Sequence, residues 1–191
     1  MLKPFHELPC DPALQQTIAD RVMEFLTTQT DLFADLDNRS LWNKLDTVAL
    51  VRAVPELVGY FETFGLKLKE VAVTVCNNTN GAILHIDELP VVAKINFPIL
   101  NTEGSKNLWY RVPKELLDTV NPRINEFGAP FYNLSTIDLA RCKKIADIEI
   151  SKPVVFNSQI PHMIDTSQCR AFPRLVLTCM FFNQPVDFLK E

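Results

Sequence analysis

Residues 68–87 read Leu68-Lys69-Glu70-Val71-Ala72-Val73-Thr74-Val75-Cys76, then Asn77-Asn78-Thr79-Asn80-Gly81, then Ala82-Ile83-Leu84-His85-Ile86-Asp87. Two β-branched runs flank a cluster of turn residues, which is the signature of consecutive strands joined by a tight loop. The same grammar continues downstream. Strands are expected over Val91 to Leu100, Asn107 to Val112, Ile145 to Ile150, Pro153 to Phe156, Ile160 to Ile164 and Phe172 to Phe182, about eight in all with the first two.

Upstream the period changes. Asp11-Pro12 reads as N-cap and first helical position, and Leu14, Ile18, Val22, Phe25 and Leu26 recur at helical spacing, so a helix is expected to about Thr28. A polar stretch from Thr30 to Lys44 follows, then an apolar segment around Val48 to Val51. Pro55 opens a second helix, Glu56 to Phe64, which Gly65 terminates. Between the strand groups, residues 113–145 carry two short helical pieces, Lys114 to Val120 and Ser135 to Lys144, the second opened by a capping-box variant of Ser135 and Asp138. Helices first and then short strands argue for a mainly β fold, a sandwich or barrel with flanking helices as support. The expected organisation is one domain over 1–191, with 1–65 as helical support, 66–182 as the β core and 113–145 as a helical insertion.

Composition narrows the class. With 47% hydrophobic and 22% charged residues the chain has the make-up of a folded globular protein. A net charge of −4, with no basic run longer than Lys143-Lys144, makes nucleic acid an unfavoured partner. No stretch approaches a membrane span and the N-terminus lacks an apolar leader, so an intracellular, cytoplasmic location is expected. The five cysteines form no Cys-x-x-Cys pair and suggest neither a disulfide framework nor a zinc ribbon.

Only three histidines occur, His6 in the N-terminal tail and His85 and His162 in strand-like segments. Strand side chains alternate, so His85 and Asp87 project to one side while Leu84 and Ile86 face the other. An imidazole and a carboxylate on a half-buried face need a partner, and a metal ion is a good one. Two histidines and one carboxylate are the ligand set of non-haem Fe(II) oxygenases, with His162 as third ligand. On the last strand Arg174, Val176 and Thr178 share one face and Leu175, Leu177, Cys179 and Phe181 the other. Arg174 is thereby placed to grip the far carboxylate of a dicarboxylate bound at the metal.

These residues, His85-x-Asp87, Pro161-His162 and then Arg174 opening an apolar terminal strand, resemble the Fe(II)/2-oxoglutarate-dependent dioxygenase superfamily over about residues 66–182. Ile95 to Ile99, Asn101 to Ser105 and Trp109-Tyr110 resemble its small prolyl- and aspartyl-hydroxylase-like members. The resemblance implies a double-stranded β-helix, a cupin-like jelly-roll. It also implies Fe(II) on His85, Asp87 and His162, 2-oxoglutarate as co-substrate, and hydroxylation of an unidentified small-molecule or peptidyl substrate with release of succinate and CO2. Arg174 matches the family's anchoring arginine, with Arg170 as rival. Asn96, on the face of its strand with Lys94 and Pro98, and Tyr110 are further candidates for co-substrate contact; for Asn96 a hydrogen bond within the sheet, and for Tyr110 core packing, are the competing roles. A cupin-like metal-binding protein or a degenerate, non-catalytic binding protein of the same fold is the alternative. Oligomeric state is not legible.

Overall fold

The computed structural model describes residues 2–28, 41–87, 90–124 and 130–191. Among the described residues twelve strands form two antiparallel six-stranded sheets. They are β1 (Phe5–Glu7), β2 (Leu41–Lys44), β3 (Leu68–Cys76), β4 (Ala82–Ile86), β5 (Ala93–Leu100), β6 (Lys106–Arg111), β7 (Arg123–Ile124), β8 (Pro130–Asn133), β9 (Lys143–Glu149), β10 (Val154–Asn157), β11 (His162–Asp165) and β12 (Arg174–Phe181). One sheet has the order β1-β10-β5-β12-β3-β2 and the other β7-β8-β4-β11-β6-β9. Helices are α1 (Pro12–Thr27), α2 (Thr47–Ala53), α3 (Pro55–Glu62) and the single turn α4 (Lys114–Leu117).

The largest hydrophobic cluster is not between the sheets. Val71, Val73 and Val75 of β3, Ile95 and Phe97 of β5, and Leu175, Leu177 and Cys179 of β12 point away from the second sheet, into Ile18, Val22 and Leu26 of α1, Leu50 of α2 and Leu57 and Phe61 of α3. Every side chain in that set is fully or nearly fully buried. The period-2 pattern of the strands and the 3.6 period of the helices are complementary halves of one interface. Phe61 meets Phe181 edge-on at 4.9 Å, and burying each such ring contributes about 1.5–3 kcal/mol. Because the helices cover that outer face, the inner face is free to carry polar residues.

Local chemistry explains the helical ends. Asp11 accepts hydrogen bonds from the Ala13 and Leu14 amides at 3.0 Å and Pro12 opens α1, as the sequence suggests. The apolar segment at Val48 to Val51 becomes α2, capped by Asp46 on the Ala49 amide, and Gly65 takes the left-handed conformation (φ 68°) just beyond α3.

Three expectations need correction. Ser135 to Lys144 is not a helix: Asp138 caps only a 3-10 turn over Leu139–Arg141, and the chain then enters β9, where pairing to β6 satisfies the backbone. The segment around His6 is not a loose tail but β1, which pairs with β10 and stacks Phe5 on Trp109 at 5.3 Å. The polar stretch ends in an edge strand, β2, paired to β3, while its residues 30–40 lie outside the described residues, as do residue 29, Glu88 and Leu89 and residues 125–129 of the expected insertion. No helix among the described residues is long and apolar enough to cross a membrane.

Candidate metal and anion site

Gly81, immediately before β4, lies in the left-handed region (φ 63°), and a Cβ there would collide with the backbone carbonyl of Ile164 on β11. The close approach fixes Ala82 opposite Ile164, and a β-bulge between Ile164 and His162 then shifts the pairing by one residue, which places His85 opposite His162. Residues opposed in an antiparallel pair share a face, so both imidazoles point into the space between the sheets, 4.3 Å apart between ring centroids. Asp87 follows one residue beyond β4. Its amide donates to the Ser158 carbonyl (3.1 Å) and its carbonyl accepts from the Gln159 side chain (3.0 Å), which also donates to Val91 (2.7 Å). The loop between β10 and β11 thus pins Asp87 beside the strand that carries His162.

Both histidines are fixed in one tautomer. Nδ1 of His85 lies 2.8 Å from the Ile83 carbonyl and Nδ1 of His162 lies 2.8 Å from the Ile160 carbonyl. A carbonyl oxygen can only accept, so each Nδ1 carries a proton, and in the neutral ring that leaves the lone pair on Nε2. His85 Nε2 is 3.7 Å from Asp87 Oδ1, and His162 Nε2 is 4.0 Å from Asp87 Oδ2, both too long for hydrogen bonds. One donor atom from each of the three residues lies within 4.8 Å of the others. Two imidazole nitrogens and a carboxylate facing one another suit a divalent cation such as Fe(II), Ni(II) or Zn(II).

The surroundings tune this set. Burial pushes the His162 imidazole down to about 3, His85 and Lys94 add to it and Asp87 opposes it, so the ring is neutral at ordinary pH and the 4.0 Å contact is not an ion pair. For Asp87 burial pushes the carboxyl up, but Lys94 first, then His162 and His85, outweigh it and hold it well below the usual carboxylate range. Lys94, on the inner face of β5, puts Nζ 2.8 Å from Asp87 Oδ2. Both side chains are nearly enclosed, 7% and 14% exposed.

Further along the same interior sits Arg174, which is fully buried. Its Nε donates to Ser105 Oγ at 3.1 Å, while Nη1 and Nη2 are buried without a hydrogen-bond partner. Burial lowers its affinity for the proton, and the thiols of Cys76 and Cys169 act in the opposite sense. Two more inward-facing atoms of β6 are in the same condition, Trp109 Nε1 and Asn107 Oδ1. Buried polar atoms are ordinarily satisfied, so these inward-facing atoms on β12 and β6 could each meet a polar ligand.

The sequence candidates separate on this geometry. His85, Asp87 and His162 come together, and Arg174 lines the same interior. Arg170, the rival, is 79% exposed and paired with Glu103 at 2.6 Å. Asn96 faces inward and is nearly buried, and its Oδ1 accepts from the Thr178 hydroxyl at 3.0 Å across the sheet. Tyr110 needs correction. His162 is opposed to Trp109, so the next residue, Tyr110, points out of the sheet, against Met163, Leu84 and Val112. Lys94, Ser105 and Asn107 were not singled out. Their alternation with apolar neighbours was readable, but their partners lie in other strands. A cleft of about 360 Å³ between α1 and the end of β5, lined by Cys10, Gln16, Pro98 and Asn101 among others, lies apart from the triad.

Two solved structures share this architecture. HygX from Streptomyces hygroscopicus, solved with nickel and 2-oxoglutarate bound, aligns over 93% of this chain and 82% of its own, at 9% identity and a TM-score of 0.53. AviO1 from Streptomyces viridochromogenes Tue57 aligns over 97% of this chain and 92% of its own, at 11% identity and a TM-score of 0.52. At these identities the likeness is one of fold. No protein-family model matches the chain, and no curated protein matches it in sequence.

Proposed function

We propose that the chain is an Fe(II)- and 2-oxoglutarate-dependent dioxygenase that hydroxylates a small-molecule or peptidyl substrate. The observation that carries this reading is the pairing of two features in one interior: three convergent metal-binding atoms, and a fully buried arginine with two unpartnered donors. A metal site alone has many uses. A buried guanidinium without a carboxylate is costly unless it meets an anion, and its planar fork matches a carboxylate.

In this reading the core strands of the two sheets, β10-β5-β12-β3 and β4-β11-β6-β9, form a double-stranded β-helix. His85, Asp87 and His162 hold Fe(II), which supplies the oxygen-activating redox chemistry when bound. Arg174 holds the distal carboxylate of 2-oxoglutarate, and Ser105 orients the guanidinium through Nε. Trp109 Nε1 offers another donor and Asn107 its side-chain amide, while Asn96 is held by Thr178 and serves the sheet. The hydrophobic band of Ile150, Val154 and Val176, with Phe5 and Ile148 packed against it, keeps the floor of the interior dry. Overall, 2-oxoglutarate, O2 and a C–H bond of the substrate become succinate, CO2 and a hydroxylated product. HygX, of similar fold, holds nickel and 2-oxoglutarate, which supports the assignment of both ligands here. The net charge of −4 supports a partner other than nucleic acid.

Anaerobic titration of the protein with Fe(II) and then 2-oxoglutarate is the direct test. A visible charge-transfer band that saturates with 2-oxoglutarate is expected. Well-folded protein that binds Fe(II) but develops no band would leave the metal-binding alternative of the same fold.

A further inference from the structure

Lys94 has no place in the reading given so far, yet its ammonium sits against a metal-ligand carboxylate in the interior between the sheets. Nζ is 2.8 Å from Asp87 Oδ2, the oxygen on the His162 side at 4.0 Å from its Nε2, whereas Oδ1 lies on the His85 side, 3.7 Å from its Nε2. Lys94 is held there by its strand. It lies on the inner face of β5, opposite Phe156, whose ring stands edge-on to His162 at 5.5 Å. The ammonium is therefore fixed close to the point on which the donor atoms converge.

Resting on the metal-site reading above, we propose that Lys94 is a positioning residue that reserves Oδ1 of Asp87 for the metal and sets the site's affinity low. Two effects of its charge oppose each other. Anchoring the carboxylate helps, since loss of such an outer hydrogen bond typically weakens metal binding about 10–100-fold. Repulsion hinders: two unit charges 4 Å apart repel by about fivefold in affinity in bulk water and by about a thousandfold at the effective dielectric of a protein surface, and the ion carries two charges. With Lys94, Asp87 and His162 all at most 14% exposed, screening is far from that of bulk water. Repulsion wins. The lysine keeps the carboxylate well oriented and a weak donor at the same time, so the ion is held in the right place but exchangeably.

The test is Mn(II) binding to the metal-free protein, read from the free-ion EPR signal, for the parent chain and for Lys94→Met, Lys94→Gln, Lys94→Arg and Asp87→Asn. Lys94→Met and Lys94→Gln are expected to bind at least tenfold more tightly than the parent, and Lys94→Arg within about threefold of it. Binding by the folded Lys94→Gln protein that equals or falls below the parent would overturn the proposal, as would an Arg variant that behaves like Gln. Should Lys94→Met not fold, the Gln and Arg pair decides the matter. Absence of binding in the parent, the Lys94 variants and Asp87→Asn alike would instead refute the metal site, and this assignment with it. Tighter binding in the neutral variants but not in Asp87→Asn separates the two.

Discussion

Replacing Arg174 by Met should make the protein at least as stable and nearly unable to hold 2-oxoglutarate. The guanidinium is fully buried, donates from Nε to Ser105 and interacts with the Cys76 thiol, while Nη1 and Nη2 are buried with no hydrogen-bond partner that meets full geometry. Removing such a charge relieves a desolvation cost, and neutral replacement of buried ionic groups is often stabilising by about 1–4 kcal/mol. Loss of the bond to Ser105 takes back about 1 kcal/mol. The net lies between no change and about 3 kcal/mol of added stability, or a Tm rise of up to about 10 °C for a chain of this size. Binding moves the other way. Two charge-assisted hydrogen bonds to a carboxylate contribute about 1.5–3 kcal/mol each, so their loss should weaken 2-oxoglutarate by roughly 10²–10⁴-fold. Thermal melts of the metal-free protein and calorimetric titration of the Mn(II)-loaded protein with 2-oxoglutarate measure the two effects separately. A Tm lowered by more than about 5 °C with 2-oxoglutarate affinity unaltered would show that Arg174 is structural, and the reasoning from its orphaned donors would fail.

Other outcomes follow from the same geometry. Arg170→Ala and Tyr110→Phe should leave 2-oxoglutarate affinity within about twofold of the parent, a difference below about 0.4 kcal/mol, because the first side chain is in solvent and the second is on the outer face. Gly81→Ala should destabilise by more than about 2 kcal/mol and weaken metal binding with it, since the added Cβ meets the Ile164 carbonyl in a backbone conformation that disfavours L residues. Acid should destabilise the metal-free protein. The folded-state pKa of His162 is pushed down to about 3, so the unfolded chain binds the extra proton first; this contribution is complete above the unfolded value of about 6.5 and is lost as pH falls toward 3. Asp87, also held low, loses its share as pH falls through its folded value, further into acid. A His162→Gln variant should flatten the slope of stability between about pH 6.5 and 4 in urea titrations. An unchanged slope would contradict the burial argument.

Much of this was legible in the chain. The alternation of Val71, Val73 and Val75, of Ile95 and Phe97, and of Leu175, Leu177 and Cys179 assigns each strand an apolar face, and the spacing of Ile18, Val22 and Leu26 assigns α1 the face to match. These are local periodicities, and backbone geometry dictates them regardless of what packs where. The same rule places His85 with Asp87 and Arg174 with Thr178. It also shows that Lys94 and Asn96 share a face, without saying what they meet.

What period alone does not supply is pairing. Ser135 to Lys144 has plausible helical signals, and only the hydrogen bonds offered by β6 draw its second half into β9. Tyr110 and Trp109 are neighbours of similar chemistry, and the opposition of Trp109 to His162 decides which one turns inward. The ammonium of Lys94 on Asp87 and the bond from Arg174 to Ser105 likewise depend on contacts between strands distant in sequence. The sequence by itself determined which residues carry the chemistry and which faces they occupy, because side-chain direction is a property of one strand. Tertiary structure decided that the faces of His85, His162, Lys94 and Arg174 enclose a single interior, because burial, charge balance and hydrogen-bond satisfaction are properties of strands brought together.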